Sequence, residues 1–163
     1  MWSLLRALAL LMLSAAPCAA AEVCSAETIS SPQDHALVAF AQRAHLTYPD
    51  AFRRVADYLH ADGGAALPPC YVSKRAAEAR GWRPGGDLWR VAPGAAIGGD
   101  PFDNREGRLP HQFNGRYVEA DLDYAGGHRG ADRLIYVRGM GERWLLFVTT
   151  DHDRSFLAFA PER

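Results

Sequence analysis

The chain is expected to fold as an α+β domain, its N-terminal helices packed on a twisted antiparallel β-sheet. Three observations predict this. Residues 31–60 carry apolar side chains at helical spacing; residues 117–137 carry a clean alternation and then an apolar run across a glycine turn; and the helical segments precede the main run of strands.

Taken in order, the first helix starts at Ser31, an N-cap residue with Pro32 at the first helical position. Leu37, Phe40, Ala41 and Ala44 form its apolar stripe. Pro49 and Asp50 restart the chain. Residues 51–60 then make a second amphipathic helix with Phe52, Val55, Ala56 and Leu59 facing inward, ended by Gly63 and Gly64. The stretch 67–82, LPPCYVSKRAAEARGW, reads as a loop and a short helix, capped by Ser73, carried by Ala76, Ala77 and Ala79, and stopped by Gly81. One further helical turn is expected over 87–91. Residues 96–110, AIGGDPFDNREGRLP, read as a loop-rich approach to the sheet. From Tyr117 to Tyr124 the strand alternation puts Val118, Ala120 and Leu122 on one face and Glu119, Asp121 and Asp123 on the other. A turn at Gly126 and Gly127 leads to the apolar run 134–137. Residues 144–150 and 156–159 supply two more short strands around a turn at 150–154.

The organisation expected is a signal peptide over 1–21, an extension with one helix over 22–50, and the main domain over 51–163. The first segment has Arg6 as its only charge, an apolar run, and small residues at its end, which is the pattern of a secretory signal. The remaining length suits a single core. Once Cys18 leaves with the signal, Cys24 and Cys70 remain, and in an oxidising compartment such a pair is most simply a disulfide. Closing a loop of that length stabilises by roughly 4 kcal/mol in the chain-entropy account. The two cysteines have no metal-ligand spacing. A formal net charge of −1 argues against wrapping nucleic acid by bulk electrostatics. Arginine is the dominant cation, and Lys74 is the only lysine in the chain.

Four groups carry chemistry: Lys74, the DNREG loop at 103–107, the Glu119 hairpin with Arg129 and Arg133, and Asp151-His152 in a strand turn. Singly, each has a bland reading. A histidine in a polar turn is usually solvated, a loop such as DNREG is usually only a turn, and carboxylates among arginines are more often an ion-pair network than an anion site.

Their order and wording are more specific. VADYL, the Ser73-Lys74 helix start with Gly81-Trp82, VAPG, AIGGD, FDNREGRLP, GRYVEADLDY, the Arg129 and Arg133 spacing, DRLIY and TTDH run in sequence from Val55 to Phe156. In these blocks the chain resembles the barnase-like family of secreted bacterial guanyl-preferring ribonucleases. The resemblance implies the microbial ribonuclease fold and cleavage of single-stranded RNA after guanosine, through a 2′,3′-cyclic phosphate that is then hydrolysed. It implies Glu119 as general base, His152 as general acid, and Lys74, Arg129 and Arg133 as cations around the phosphate. Guanine recognition falls to Asp103, Asn104, Arg105 and Glu106: backbone amides around Asn104 and Arg105 meet the base oxygen, and the Glu106 carboxylate meets its N–H groups. Arg105 is also available to a phosphate or to an acidic inhibitor. No metal or cofactor is implied. The partners implied are RNA and a small acidic barstar-like inhibitor, for a monomer secreted to the extracellular space or periplasm and free of the membrane after signal cleavage.

The chain departs from the family in places. Asp153 stands after His152 where the family has a base-stacking aromatic, and a carboxylate there favours the imidazolium. One residue is missing just before Glu119, and HQF at 111–113 replaces a polar glycine-containing loop. Residues 22–50 and the cysteine pair lie outside the resemblance and read as a stabilising addition. Two alternatives stay open: a secreted nucleotide- or protein-binding module without turnover, and a ribonuclease delivered as an antibacterial toxin.

Overall fold

The computed structural model describes residues 35–140 and 145–159. The expected signal peptide, the Ser31 cap, Pro32, Cys24 and Trp144 lie outside the described residues. Helix α1, His35–Arg43, buries Leu37, Phe40 and Ala41, the stripe read from its period. Helix α2, Pro49–Ala61, places Pro49 in its first turn, where a missing N–H breaks no bond. Phe52, Val55, Ala56 and Leu59 are all buried along it. Gly63 and Gly64 take left-handed φ of 62° and 69°, and the Gly64 N–H closes the helix end on the Leu59 carbonyl at 2.7 Å.

Six strands pair in chain order: β1 Tyr71–Val72, β2 Ala96–Pro101, β3 Tyr117–Asp121, β4 Arg133–Val137, β5 Leu146–Thr149 and β6 Leu157–Phe159. All neighbours are antiparallel except β1 and β2, which are parallel. Helix α3, Lys74–Ala79, follows β1, and single 3₁₀ turns occupy Leu88–Arg90 and His111–Phe113. The α+β expectation holds, with two corrections. Residues 96–101 are an interior strand rather than loop, and the expected loop before α3 contains the edge strand β1. The glycines misled because their purpose is close approach and not a turn. A Cβ on Gly98 would lie 2.7 Å from Cδ1 of Tyr71 and 3.1 Å from Cβ of Ala120, so only glycine lets β1, β2 and β3 meet there. Gly99, at φ +92°, sits where the register shifts between Gly98 and Asp100, so that Asp100 comes opposite Glu119.

The sheet has two different faces. Val118, Ala120, Leu134, Tyr136, Leu146 and Val148 join α1 and α2 in the main core, and Phe40 packs between Phe52 and Phe159. On the other face Tyr117, Ile135, Val137 and Phe147 are covered by Leu109, Phe102, Phe113 and Phe156. Removing a fully buried Leu59 side chain from the first core would destabilise by about 2–5 kcal/mol. The second core matters more for function, because it fixes the 102–113 segment over one end of the sheet and leaves the other end to charge. Among the described residues, no helix is long and apolar enough to cross a membrane, and no cluster of three His, Cys, Asp or Glu could hold a metal ion.

Candidate active site

Strand alternation puts Glu119 and Asp121 on the face away from the helices, and pairing carries that face across the sheet. Asp121 lies opposite Arg133 on β4, which lies opposite Thr149 on β5, the last residue before the turn that bears His152. Register alone therefore brings two of the predicted positions, Glu119 and Arg133, to one face, with the turn that bears His152 following on from the same row.

Lys74 reaches this end from α3. Ser73 caps that helix, its hydroxyl accepting from the Ala76 N–H, while the Lys74 N–H donates to Asp100 Oδ2 at 2.9 Å. Asp100 is the partner of Glu119 across β2 and β3, so the cap and the strand carboxylate are fixed relative to each other. From there Nζ of Lys74 pairs with Oε1 of Glu119. Glu119 is mostly shielded, with a side chain 14 % exposed, and Lys74 more open.

The arginines are held by one carboxylate. Asp121, 2 % exposed, takes Nε and Nη2 of Arg129 at 2.6 and 2.5 Å, and Nε of Arg133 at 3.2 Å. Arg133 also donates from Nη1 to the carbonyls of Gly130 and Asp132, and Arg129 lies over the Trp82 ring. Burial works against the Arg129 charge, but hydrogen bonding and attraction from Asp121 outweigh it, and its pKa is raised. Two guanidiniums on one carboxylate leave a net positive charge on a half-buried surface, ready for an anion. From the sequence, Asp121 and Asp123 read as structural partners for arginines, with Glu119 as the working carboxylate; Asp121 is such a partner. Asp123 is not: its carboxylate accepts the Thr47 and Tyr48 N–H groups ahead of α2. It lies past the end of β3 at φ 54°, where strand alternation no longer decides its direction.

His152 is exposed on the turn after β5, in a left-handed conformation shared with Asp153. Asp151 builds that turn. Its carboxylate accepts from the Ser155 hydroxyl at 2.7 Å, the Arg154 and Ser155 N–H groups, and the Thr149 hydroxyl. Ser155 first, and then the other donors, hold the Asp151 carboxyl well below the usual range.

The 103–106 loop is stapled by Asn104. At φ 45° and buried, it donates from Nδ2 to the Leu109 carbonyl and to Asn114, while its Oδ1 accepts the Leu109 N–H. Its side chain is spent on loop shape, so only its backbone remains for a ligand. Arg105 and Asp103 pair with each other on the surface. Glu106 is open, its Oε2 held by Arg108 at 2.5 Å. A cavity of about 270 Å³ lies beside this loop, walled by Phe102 and Phe156 and carrying Glu106, Arg108 and Asp153. Asp100 and Arg108 were missed as positioning residues in the sequence, each being a single charged residue in a strand or loop with no spacing signal to mark it, and Asp151 was singled out with His152 but not as the residue that builds their turn.

A cation-rich sheet end beside an acceptor-lined, aromatic-walled cavity is suited to a phosphodiester with an attached base, which defines a nuclease-type site. The ribonuclease family model matches residues 53–160. A ribonuclease of Heyndrickxia coagulans is 46% identical over 108 residues, 66% of this chain and 94% of that protein. Ribonucleases of Bacillus intermedius and Bacillus pumilus are each 46% identical over 108 residues, 66% of this chain and 63% of their own length. The chain belongs to the barnase-like bacterial ribonuclease family and is an endoribonuclease acting on RNA.

Proposed function

We propose that this endoribonuclease is secreted and cleaves single-stranded RNA preferentially after guanosine, by transphosphorylation and then hydrolysis. The observation that carries the reading is the convergence of Glu119, Lys74 and the Asp121-bound arginines on one sheet end, next to the 103–106 loop and its cavity. In the first step Glu119 takes the ribose 2′-hydroxyl proton as O2′ bonds to phosphorus. The P–O5′ bond breaks, and His152 gives its proton to the leaving O5′. In the second step His152 takes a proton from water as it attacks the cyclic phosphate, and Glu119 returns one to O2′. Charge gained on the phosphate oxygens is met by Lys74, Arg129 and Arg133, already oriented before substrate arrives. No step calls for a metal.

Guanine would meet the backbone amides near Asn104 and Arg105 and the carboxylate of Glu106, with Asp103 steadying Arg105. The Cys24–Cys70 disulfide belongs to the same reading; buried Cys70 is in disulfide form, which supports it. The same reading includes a signal peptide over 1–21, an extension over 22–50 and a domain over 51–163, a monomeric state, and recognition by a small acidic barstar-like inhibitor.

Product analysis on a mixed-sequence RNA, with and without chelator, tests activity, base choice and the cyclic intermediate together. Fragments ending in guanosine 2′,3′-cyclic phosphate under both conditions are expected. Absence of cleavage, or random ends, would overturn the reading.

A further inference from the structure

The 103–106 loop and the 150–155 turn, which serve the base and the acid separately, are joined by one charged side chain. Arg108 sends Nη2 to Oε2 of Glu106 at 2.5 Å and Nη1 to the Asp153 carbonyl at 2.7 Å. A guanidinium is a planar, rigid fork, so the two bonds fix one geometry between the segments. Phe102 and Phe156 also meet edge to face across them, with ring centroids 6.1 Å apart. That contact is apolar and does not depend on where the Glu106 carboxylate lies.

The backbone at His152 is one that neighbours must hold. His152 and Asp153 are both left-handed, at φ 56° and 62°, a conformation that costs a side-chain-bearing residue free energy. Within the turn, the Asp153 N–H donates to the Thr149 hydroxyl at 3.1 Å, and the Asp151 carboxylate accepts the Arg154 and Ser155 N–H groups. Those bonds involve no group that a base would touch. Among the described residues, Arg108 is the hydrogen-bond donor that reaches the turn from another segment, and it grips the carbonyl one residue past His152. Its other partner, Glu106, is the carboxylate read as the base acceptor. The Glu106 and Arg108 side chains are 68 % and 38 % exposed, so in the free protein their pairing is offset by the side-chain entropy lost in holding it. A base whose N–H groups bind Glu106 fixes that carboxylate, and the fork carries the order on to the Asp153 carbonyl.

Resting on the reading of Glu106 as base acceptor and His152 as general acid, we propose that Arg108 is a positioning residue that couples occupation of the base loop to the placement of His152. Base identity is then expressed in kcat as well as in KM. A base that engages Glu106 orders the acid, and one that does not leaves the turn looser.

Guanylyl-adenosine and adenylyl-adenosine test this. Their kcat and KM are measured for the full chain, Arg108→Lys and Arg108→Met, with the fold of each variant checked by thermal unfolding. Lysine keeps the charge, but its single ammonium lacks the fork that holds both oxygens in one geometry. The parent should show the higher kcat on guanylyl-adenosine. Both variants should lose about tenfold of that kcat, the scale of one charge-assisted hydrogen bond, and much less on adenylyl-adenosine, so that the kcat ratio between the two bases narrows. A kcat ratio that stays at the parent's value in either variant, whether both rates fall together or only KM changes, overturns the inference alone. A parent with no preference for guanosine overturns the functional reading and this inference with it.

Discussion

Asp121 is the residue on which the site's positive charge depends, because one nearly inaccessible carboxylate orients two guanidiniums. Replacing it with Asn leaves both arginines partly buried without their counter-ion. Loss of one partner from a buried pair is expected to destabilise by about 3–5 kcal/mol. Denaturant unfolding checks the stability, and kcat should fall as well because the arginines lose their aim. Glu119→Gln and His152→Ala are expected to lower kcat by about 10²–10⁴-fold, the range of a positioned acid or base, with little change in stability. Rates near the parent's for either variant would remove that residue from the mechanism. Legibility at this scale was uneven. Residue type and wording pointed to Lys74, Glu119, Arg129, Arg133 and His152, and the first four are brought together by register and by α3. The direction of Asp123 was misread, since a backbone in the left-handed region cannot be inferred from an alternation that has already ended.

At the scale of elements, the turn 150–155 and strand β2 carry the consequences. Asp151 is held below the usual carboxylate range chiefly by Ser155, so the fold favours its ionised form. A lowered folded-state pKa contributes stability that is fully present above the unfolded value, about 3.9, and is lost as pH falls through the lower folded value. The stability gap between the parent and Asp151→Ala should therefore be constant near neutrality and shrink below about pH 4, which thermal unfolding across pH would show. In β2, Gly98→Ala places a methyl carbon against Tyr71, Leu67 and Ala120. Overpacking at such a contact is expected to destabilise by about 1–3 kcal/mol and to disturb Asp100, which lies just across the bulge and anchors the Lys74 N–H. The helices were legible because their apolar period is a local property. Strand β2 was not, because glycine signals both a turn and a close approach and only the neighbouring strand distinguishes the two, and β1, at two residues, is too short to show a period.

For the whole molecule, the sheet works as a partition. Its helix-facing side carries the main core, and the opposite side carries a smaller aromatic cluster and the charged end. With a net charge of −1 over the chain, RNA attraction must come from the local cation group rather than from overall charge. Raising ionic strength is accordingly expected to raise KM for oligonucleotides more than it lowers kcat. By itself the sequence determined the α+β class, the helix stripes, the inventory of charged groups and their family resemblance, all of which rest on local spacing and residue type. Tertiary structure alone decided that Asp121 and not Asp123 takes both arginines, that Asn104 spends its side chain on the loop, and that Arg108 bonds both Glu106 and the Asp153 carbonyl. The physical reason is distance along the chain. Lys74 meets Glu119, and Arg108 meets Asp153, across 45 residues each. Contacts of that span are set by strand register and core packing, and no local pattern encodes them.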